Sequence, residues 1–322
     1  MNVVVTGGAG YVGGTVATLL SQAGHTVTVI DNLCHSKRSG VPAGVEFVDV
    51  DLADRKRVEE VLRDSNSEGV MHFAALIEAG ESMQKPELYF RNNTASTLSL
   101  LEAMLATGIN KLVFSSTAAV YGEPEFVPIP ESAKLLPTNA YGESKLLVEH
   151  MLTWINRIHG LRYASLRYFN VAGAIPGRGE AHEPESHIIP LILDVALGRR
   201  EKIFIYGDDY DTPDGTCIRD YVHVADLADA HTLAFNALGN HPKLILNLGN
   251  GSGFSVKEVI DAARRVTGHP IPAEMKPRRA GDPARLVASS EAAKAVLGWK
   301  PKHDQLLGIL EDAWAWHQQR YQ

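Results

Sequence analysis

Apolar positions in the first half of the chain come in short blocks rather than long runs. Val3-Val4-Val5, then 26–31, 45–51, 69–75, 111–117 and 163–170 are each short and rich in Val, Ile, Phe or Ala. Between them lie helical patterns: Tyr11 to Gln22, the charged stretch 55–64, and a long region ending in TASTLSLLEAMLAT. Short apolar strands alternating with helices predict βαβ units and a parallel sheet covered on both faces. Such crossovers are right-handed, so the expected fold is α/β, a doubly wound parallel sheet.

After Asn170 the rhythm changes. Residues 171–187 are rich in Gly, Pro, Ala and Glu and read as a loop. A helix is expected near 188–198, a strand at 202–207, a loop through DDYDTPDGTC and a helix over VADLADAHTLAFNAL. Ser255 and Glu258 form a capping-box pattern that opens VKEVIDAARRV, and QLLGILEDAWAWHQQRY is a final amphipathic helix. The expected organisation is a Rossmann domain over 1–170, with a returning segment at about 218–248, and a smaller mixed α/β domain over 171–322. Trp299, Trp314 and Trp316 are expected as anchors of that smaller domain.

Composition narrows the function. The chain has 322 residues, 45% hydrophobic and 21% charged, enough for a sizeable core. Net charge is −7 with no long basic run, so no nucleic acid partner is expected. No apolar stretch reaches the roughly 20 residues of a membrane span, and the start MNVVVTGG lacks the pattern of a signal peptide. Cys34 and Cys217 stand far apart without CxxC spacing, as free thiols of a reducing compartment would. A soluble cytoplasmic protein is expected. The acidic stretch DDYDTPDG lacks the ligand spacing of a calcium loop, and no metal is expected.

TGGAGYVGG lies between the first strand and the first helix, with Gly7, Gly10 and Gly13 in GxxGxxG spacing. Glycines there allow a tight turn and close approach of a pyrophosphate to the helix N-terminus. Asp31 ends the second strand, where a carboxylate accepts hydrogen bonds from a ribose 2′-hydroxyl and repels a 2′-phosphate. NAD is therefore expected over NADP.

YGESK places Tyr141 and Lys145 four residues apart, one above the other on a helix. A cation near a phenol favours the phenolate, so the expectation is a Tyr141 of lowered pKa acting as general base. Upstream, the strand Lys111–Thr117 ends in Ser115-Ser116-Thr117, at the sheet edge that faces a ligand crevice. Thr117 is placed to hold a substrate oxygen beside the phenol.

The order TGGAGYVG, HFAA, FSSTAAVYG, YGESK, LRYFNVAG, GTCIRDYVHVADLADAH and RRAGDP resembles the extended short-chain dehydrogenase/reductase family over nearly the whole chain. Within it, the sequence is similar to the nucleotide-sugar 4-epimerases. The resemblance implies a UDP-hexose substrate and NAD that is held tightly and not consumed. It implies catalysis by Tyr141, Lys145 and Thr117. Around the cofactor it places Gly7, Gly10, Tyr11, Val12, Gly13, Asp31, Asn32, Leu33, Asp51, Leu52, Phe73, Ala74, Ala75, Asn92, Tyr141, Lys145 and Phe169. Around the substrate it places Thr117, Asn170, His187, Ile188, Tyr206, Arg219, Tyr221, Arg279 and Asp282. The two arginines suit a diphosphate through their planar forks. Helices within 81–107 and 143–158 form a homodimer seam in resembling enzymes.

Three positions depart from the family pattern. Ile77 stands where some members carry a lysine against NAD. Leu286 replaces a bulky aromatic at the sugar pocket, which bears on N-acetylated substrates. Glu143 lies inside YxxSK and off the Tyr141–Lys145 face. Where a dehydratase of this fold has an acid pair, the chain has Ala118-Ala119. A NAD-binding protein without turnover is the alternative from outside enzyme chemistry.

Overall fold

The computed structural model describes residues 1–279 and 282–322. In chain order these form β1 (Asn2–Thr6), α1 (Tyr11–Gln22), β2 (Thr26–Asp31), β3 (Glu46–Asp49), α2 (Arg55–Asp64), β4 (Gly69–His72), α3 (Ala79–Ser82), α4 (Pro86–Tyr89), α5 (Ser96–Thr107), β5 (Lys111–Thr117), α6 (Ala140–His159) and β6 (Arg162–Tyr168). Then follow β7 (Asn170–Ala172), β8 (Ala174–Ile175), β9 (Arg178–Gly179), α7 (Ile188–Ala196), β10 (Ile203–Tyr206), β11 (Ile218–Arg219), β12 (Tyr221–His223) and α8 (Val224–Ala237). The last elements are β13 (Lys243–Leu248), β14 (Phe254–Ser255), α9 (Val256–Thr267), β15 (Ala273–Lys276), β16 (Arg285–Leu286), α10 (Glu291–Leu297) and α11 (Leu306–Tyr321).

The chain divides into two compact units. The first contains Met1–Gly122, Leu135–Arg167 and Ala228–Leu246. The second contains Glu123–Lys134, Tyr168–Leu227 and Asn247–Gln322.

The first unit is built on a seven-stranded sheet in the order β13-β6-β5-β4-β1-β2-β3. Pairing is parallel from β1 to β2 and β4, from β2 to β3, and from β4 to β5. Val3, Val4 and Val5 are wholly buried, as a strand covered on both faces requires. Strand order reverses at β1 and β4, so the loops leaving these strands flank the crevice where such sheets bind ligands. One core cluster joins Val4, Ile30, Leu62, Leu101, Met104, Phe114 and Leu152 across sheet and helices.

The region before α5 is less regular than its apolar pattern implies. Two short helices lead into a wide-turned π-helical stretch, Phe90–Ala95. Its Asn93 accepts from the Leu76 amide at 2.8 Å and donates to the Leu76 carbonyl at 2.9 Å and the Ser144 hydroxyl at 3.0 Å. A side chain with those three buried partners fixes the loop after β4 and the start of α6 together, and a π-turn is a common device for such a site.

The second unit has a core of Ile192, Ile205, Val259, Ile260, Ile309 and Leu310, where α7, α9 and α11 meet β10. β10 pairs in parallel with β15, β11 lies between β14 and β16, and β12 pairs with β7. Segment Glu123–Lys134 joins this unit because the Ile129 amide donates to the Val287 carbonyl at 2.8 Å and the Ser289 amide donates to the Ile129 carbonyl at 2.9 Å. The capping box of α9 forms between Ser255 and Glu258. Asp214, from the acidic stretch, accepts from the Ser255 hydroxyl at 2.5 Å and from the Thr216 amide at 2.8 Å. Part of that stretch is thus a built turn at the helix start rather than a solvated loop. The region read as a loop at 171–187 also holds the antiparallel pair β8–β9. Trp299 is fully buried, and Trp316 donates to the Glu180 carbonyl at 3.0 Å. Among the described residues, no helix is long and apolar enough to cross a membrane.

One buried histidine in the first unit sets an acid limit on stability. His72 on β4 bonds Thr6 Oγ1 on β1 at 2.6 Å and Thr97 Oγ1 on α5 at 2.8 Å. Burial, reinforced by the Lys145 charge, lowers its pKa from 6.5 to about 3. The unfolded chain therefore takes up a proton that the native chain refuses. The contribution of the neutral ring is whole above about pH 6.5 and is lost as pH falls toward about 3. Denaturant unfolding of wild type and His72→Gln should show this as a slope difference between pH 6 and 4, approaching one proton or ~1.4 kcal/mol per pH unit. Parallel curves would show that His72 does not titrate on unfolding.

Candidate active site

The end of β5 is tied to α6 at three consecutive residues. The Ser115 carbonyl accepts from Lys145 Nζ at 2.9 Å. Ser116 Oγ donates to Glu149 Oε1 at 2.6 Å. Thr117 is hydrogen-bonded to the Tyr141 phenol. Tyr141, Lys145 and Glu149 stand at i, i+4 and i+8, a single helix face. Asn139 starts that helix by accepting from the Gly142 amide at 2.8 Å, which sets Tyr141 in the first turn. Thr117 also accepts from the Ala119 amide at 3.1 Å, so its hydroxyl is oriented from both sides.

Below this face lies a doubly bonded ion pair. Arg167 on β6 reaches Glu149 Oε1 at 2.9 Å and Oε2 at 2.5 Å, and it also donates to the Tyr121 hydroxyl at 3.0 Å. Both partners are buried. Loss of either would leave an uncompensated charge. Neither residue was singled out in the sequence, although Glu149 continues the Tyr141–Lys145 spacing by one more turn. Asn93 and His72 were missed too: one Asn in a helical stretch and one His in a strand carry no local signal.

The expected lowering of the Tyr141 pKa is corrected by the structure. Burial of the phenol dominates and raises it; the Thr117 hydrogen bond opposes, and the Glu78 carboxylate adds to the rise. Lys145 is itself buried, which lowers its pKa to about 7. Its ammonium lies under the strand end, against the Ser115 carbonyl and 5.0 Å from the Phe114 ring centre. A lysine so desolvated is a weak source of positive charge near neutrality. The chain by itself therefore keeps Tyr141 protonated.

The glycine-rich turn fits a dinucleotide. Gly7 has φ of +71°, and a Cβ there would meet the Ala74 nitrogen at 2.5 Å. A Cβ on Gly13 would meet the Gly7 carbonyl oxygen at 2.4 Å. The turn is thus pressed onto Phe73 and Ala74 as they leave β4, with Ala75 next in the chain. Helix α1 begins at Tyr11 and Val12 behind Gly10, with no side-chain cap. That leaves a helix N-terminus of the kind that receives phosphate. Asp31 accepts from the Ala9 amide at 3.1 Å, the Leu33 amide at 2.9 Å and Ser36 Oγ at 2.8 Å. A carboxylate has about four acceptor positions, so room remains for a ribose hydroxyl. Asn32 donates to Asp51 at 3.0 Å, which sets Asp51 and Leu52 beside this strand end. The Arg38 guanidinium lies 4.2 Å from the Phe47 ring centre. It is stacked there, which agrees with NAD rather than a 2′-phosphorylated cofactor. Asn92, in the π-turn, donates to Asn93 at 3.0 Å.

The remaining expected residues belong to the second unit. Phe169 sits between β6 and β7, and Asn170 is in register with Tyr221 across β7 and β12. The buried Asp220 carboxylate accepts from the amides of Asn250, Gly251 and Ala288 at 2.7, 2.9 and 3.0 Å, which fixes the strand segment carrying Arg219 and Tyr221. Arg219 donates to Asp282 at 2.6 Å and to the Pro283 carbonyl at 2.9 Å, and Leu286 is its neighbour in register. Arg279 lies 4.0 Å from the Tyr206 ring centre. Two pairs, Arg219–Asp282 and Arg279–Tyr206, are thus brought together. Ile188 opens α7, and His187 is engaged apart from them, with Nδ1 at 2.9 Å from both Glu180 and Glu185.

Comparison with known proteins agrees with this geometry. A model of the NAD dependent epimerase/dehydratase family matches residues 3–249. UDP-glucose 4-epimerase of Streptomyces lividans is 57% identical over 315 residues, covering 98% of this chain and 95% of that one. A crystal structure of UDP-glucose 4-epimerase is similar at a TM-score of 0.97 and 51% identity, covering 99% of this chain and 98% of the other. One from Stenotrophomonas maltophila, with bound NAD and formylated UDP-arabinopyranose, gives 0.96 and 40%, with coverage of 100% and 99%. The chain belongs to the NAD dependent epimerase/dehydratase family.

Proposed function

We propose that this chain interconverts UDP-galactose and UDP-glucose by inverting the sugar at C4. The observation that carries the proposal is the Thr117–Tyr141–Lys145 arrangement at the end of β5, in the same unit as a dinucleotide turn. NAD, when bound, supplies reversible hydride chemistry at the sugar C4. The chain's own residues handle the proton and the positions. Thr117 and Tyr141 hold the 4-oxygen, and Tyr141 takes its proton as the C4–H bond breaks. The 4-keto sugar turns over in the site, and the same phenol returns the proton as the C–H bond re-forms on the other face. Lys145 binds the nicotinamide ribose. In the second unit, Arg219 and Arg279 hold the diphosphate, with Asn170, Ile188, Tyr206, Tyr221 and Asp282 around the nucleotide. Asp282 would meet the uridine ribose.

The test is conversion of UDP-galactose to UDP-glucose without added cofactor. Wild type should turn over, and Tyr141→Phe should retain NAD while losing at least ~10²-fold of the rate. A variant with near wild-type turnover would show that this phenol is not the proton carrier.

We also propose a homodimer. Leu98 and Leu105 on α5 and Trp154 and Ile158 on α6 are exposed, the last two by 60% and 65%. Large apolar groups grouped on neighbouring helices are suited to a second copy. Sedimentation should give a dimer for wild type and a monomer for the Trp154→Glu, Ile158→Glu double variant. A wild-type monomer at micromolar concentration excludes the assembly.

A further inference from the structure

Within the second unit, the segment between β9 and α7 gathers two imidazoles and two carboxylates in eight residues. One ligating atom from each of Glu180, His182, Glu185 and His187 lies within 4.8 Å of all the others. His187 Nδ1 is 2.9 Å from an oxygen of Glu180 and 2.9 Å from one of Glu185, and His182 Nδ1 is 3.2 Å from Glu180. Both imidazoles present the same nitrogen inward. Zinc bonds of about 2.0–2.1 Å in a tetrahedron place neighbouring donor atoms roughly 3.3 Å apart. These three spacings are slightly tighter than that, and the remaining ones lie within 4.8 Å.

We propose that Glu180, His182, Glu185 and His187 bind one zinc-like divalent cation that pins the segment leading into α7. One feature supports a ligand over a surface ion pair: among the described residues, Glu185 Oε2 is buried without a hydrogen-bond partner. A carboxylate oxygen shut from water and from donors is costly, and a cation in the cluster satisfies it. The segment is also anchored through its backbone, since the Glu180 carbonyl accepts from Trp316 Nε1 at 3.0 Å on α11. Its carboxylate is only 9% exposed. The donor set also selects the ion: mixed imidazole and carboxylate suits zinc and its neighbours, whereas calcium and magnesium take oxygen. In sequence these donors read Glu-x-His-x-x-Glu-x-His, a spacing unlike that of a cysteine-based zinc site or a calcium loop. The cation would fix the backbone just before Ile188 and leave the Tyr141 chemistry untouched.

The experiment uses the full-length, untagged chain. After chelation and dialysis it is titrated calorimetrically with Zn²⁺ alone, and with Co²⁺ alone while visible absorption is followed. The expected result is about one zinc per chain and intense visible bands of four-coordinate cobalt. His182→Ala and Glu185→Gln should each weaken zinc by more than the roughly 10–100-fold that losing a ligand's own hydrogen-bond partner costs. Circular dichroism and retained NAD show that the variants fold, and Glu185→Gln keeps the side-chain volume should His182→Ala not fold. Zinc well below stoichiometry, or equal binding by wild type and a folded variant, overturns the proposal.

Discussion

The contact on which the site depends is the match between one face of α6 and the last three residues of β5. Tyr141, Lys145 and Glu149 recur every four residues, and they meet Thr117, the Ser115 carbonyl and Ser116 respectively. A strand advances about 3.3 Å per residue and a helical turn about 5.4 Å, so three strand residues span less than two helical turns. The match holds because the bonds reach the strand by different routes: a carbonyl for Lys145, a short hydroxyl for Glu149 and another for Tyr141. The Glu149–Arg167 pair extends the tie to β6. Two strands thus determine where the phenol stands.

The same burial that fixes these groups sets their charge. Desolvation raises Tyr141 and lowers Lys145, so each is driven toward its neutral form. His72 beneath them is held neutral as well. The chain alone makes a poor proton acceptor of Tyr141. A base that works near neutral pH must then draw its bias from a positive charge brought to the site, and the oxidised nicotinamide ring carries one. A cofactor that remains bound through both hydride transfers suits a protein whose own electrostatics oppose the phenolate.

Much of the first unit was legible because its signals are local. The bounds of α1, α2 and β5 follow from apolar spacing and punctuation, and glycine spacing gives the turn that packs on Ala74. The pair Tyr141 and Lys145 was legible because four residues on a helix fix geometry. Charge state was not, since the burial that reverses the expected effect of Lys145 arises from strands distant in sequence. Glu149 and Arg167 were hidden for the same reason: one reads as helix surface and the other as an ordinary strand arginine. In the second unit, Asp214 reads as part of an acidic loop, yet it serves the α9 cap because the chain returns to it from Ser255.

The most direct measurement is a spectrophotometric titration of the Tyr141 phenol, with Tyr141→Phe as the blank, in nucleotide-free and NAD-loaded protein. The account predicts a value above the ordinary tyrosine pKa of about 10 without NAD and a value below it with NAD bound. A phenol that titrates below about 10 without nucleotide, or at the same pH in both forms, contradicts it.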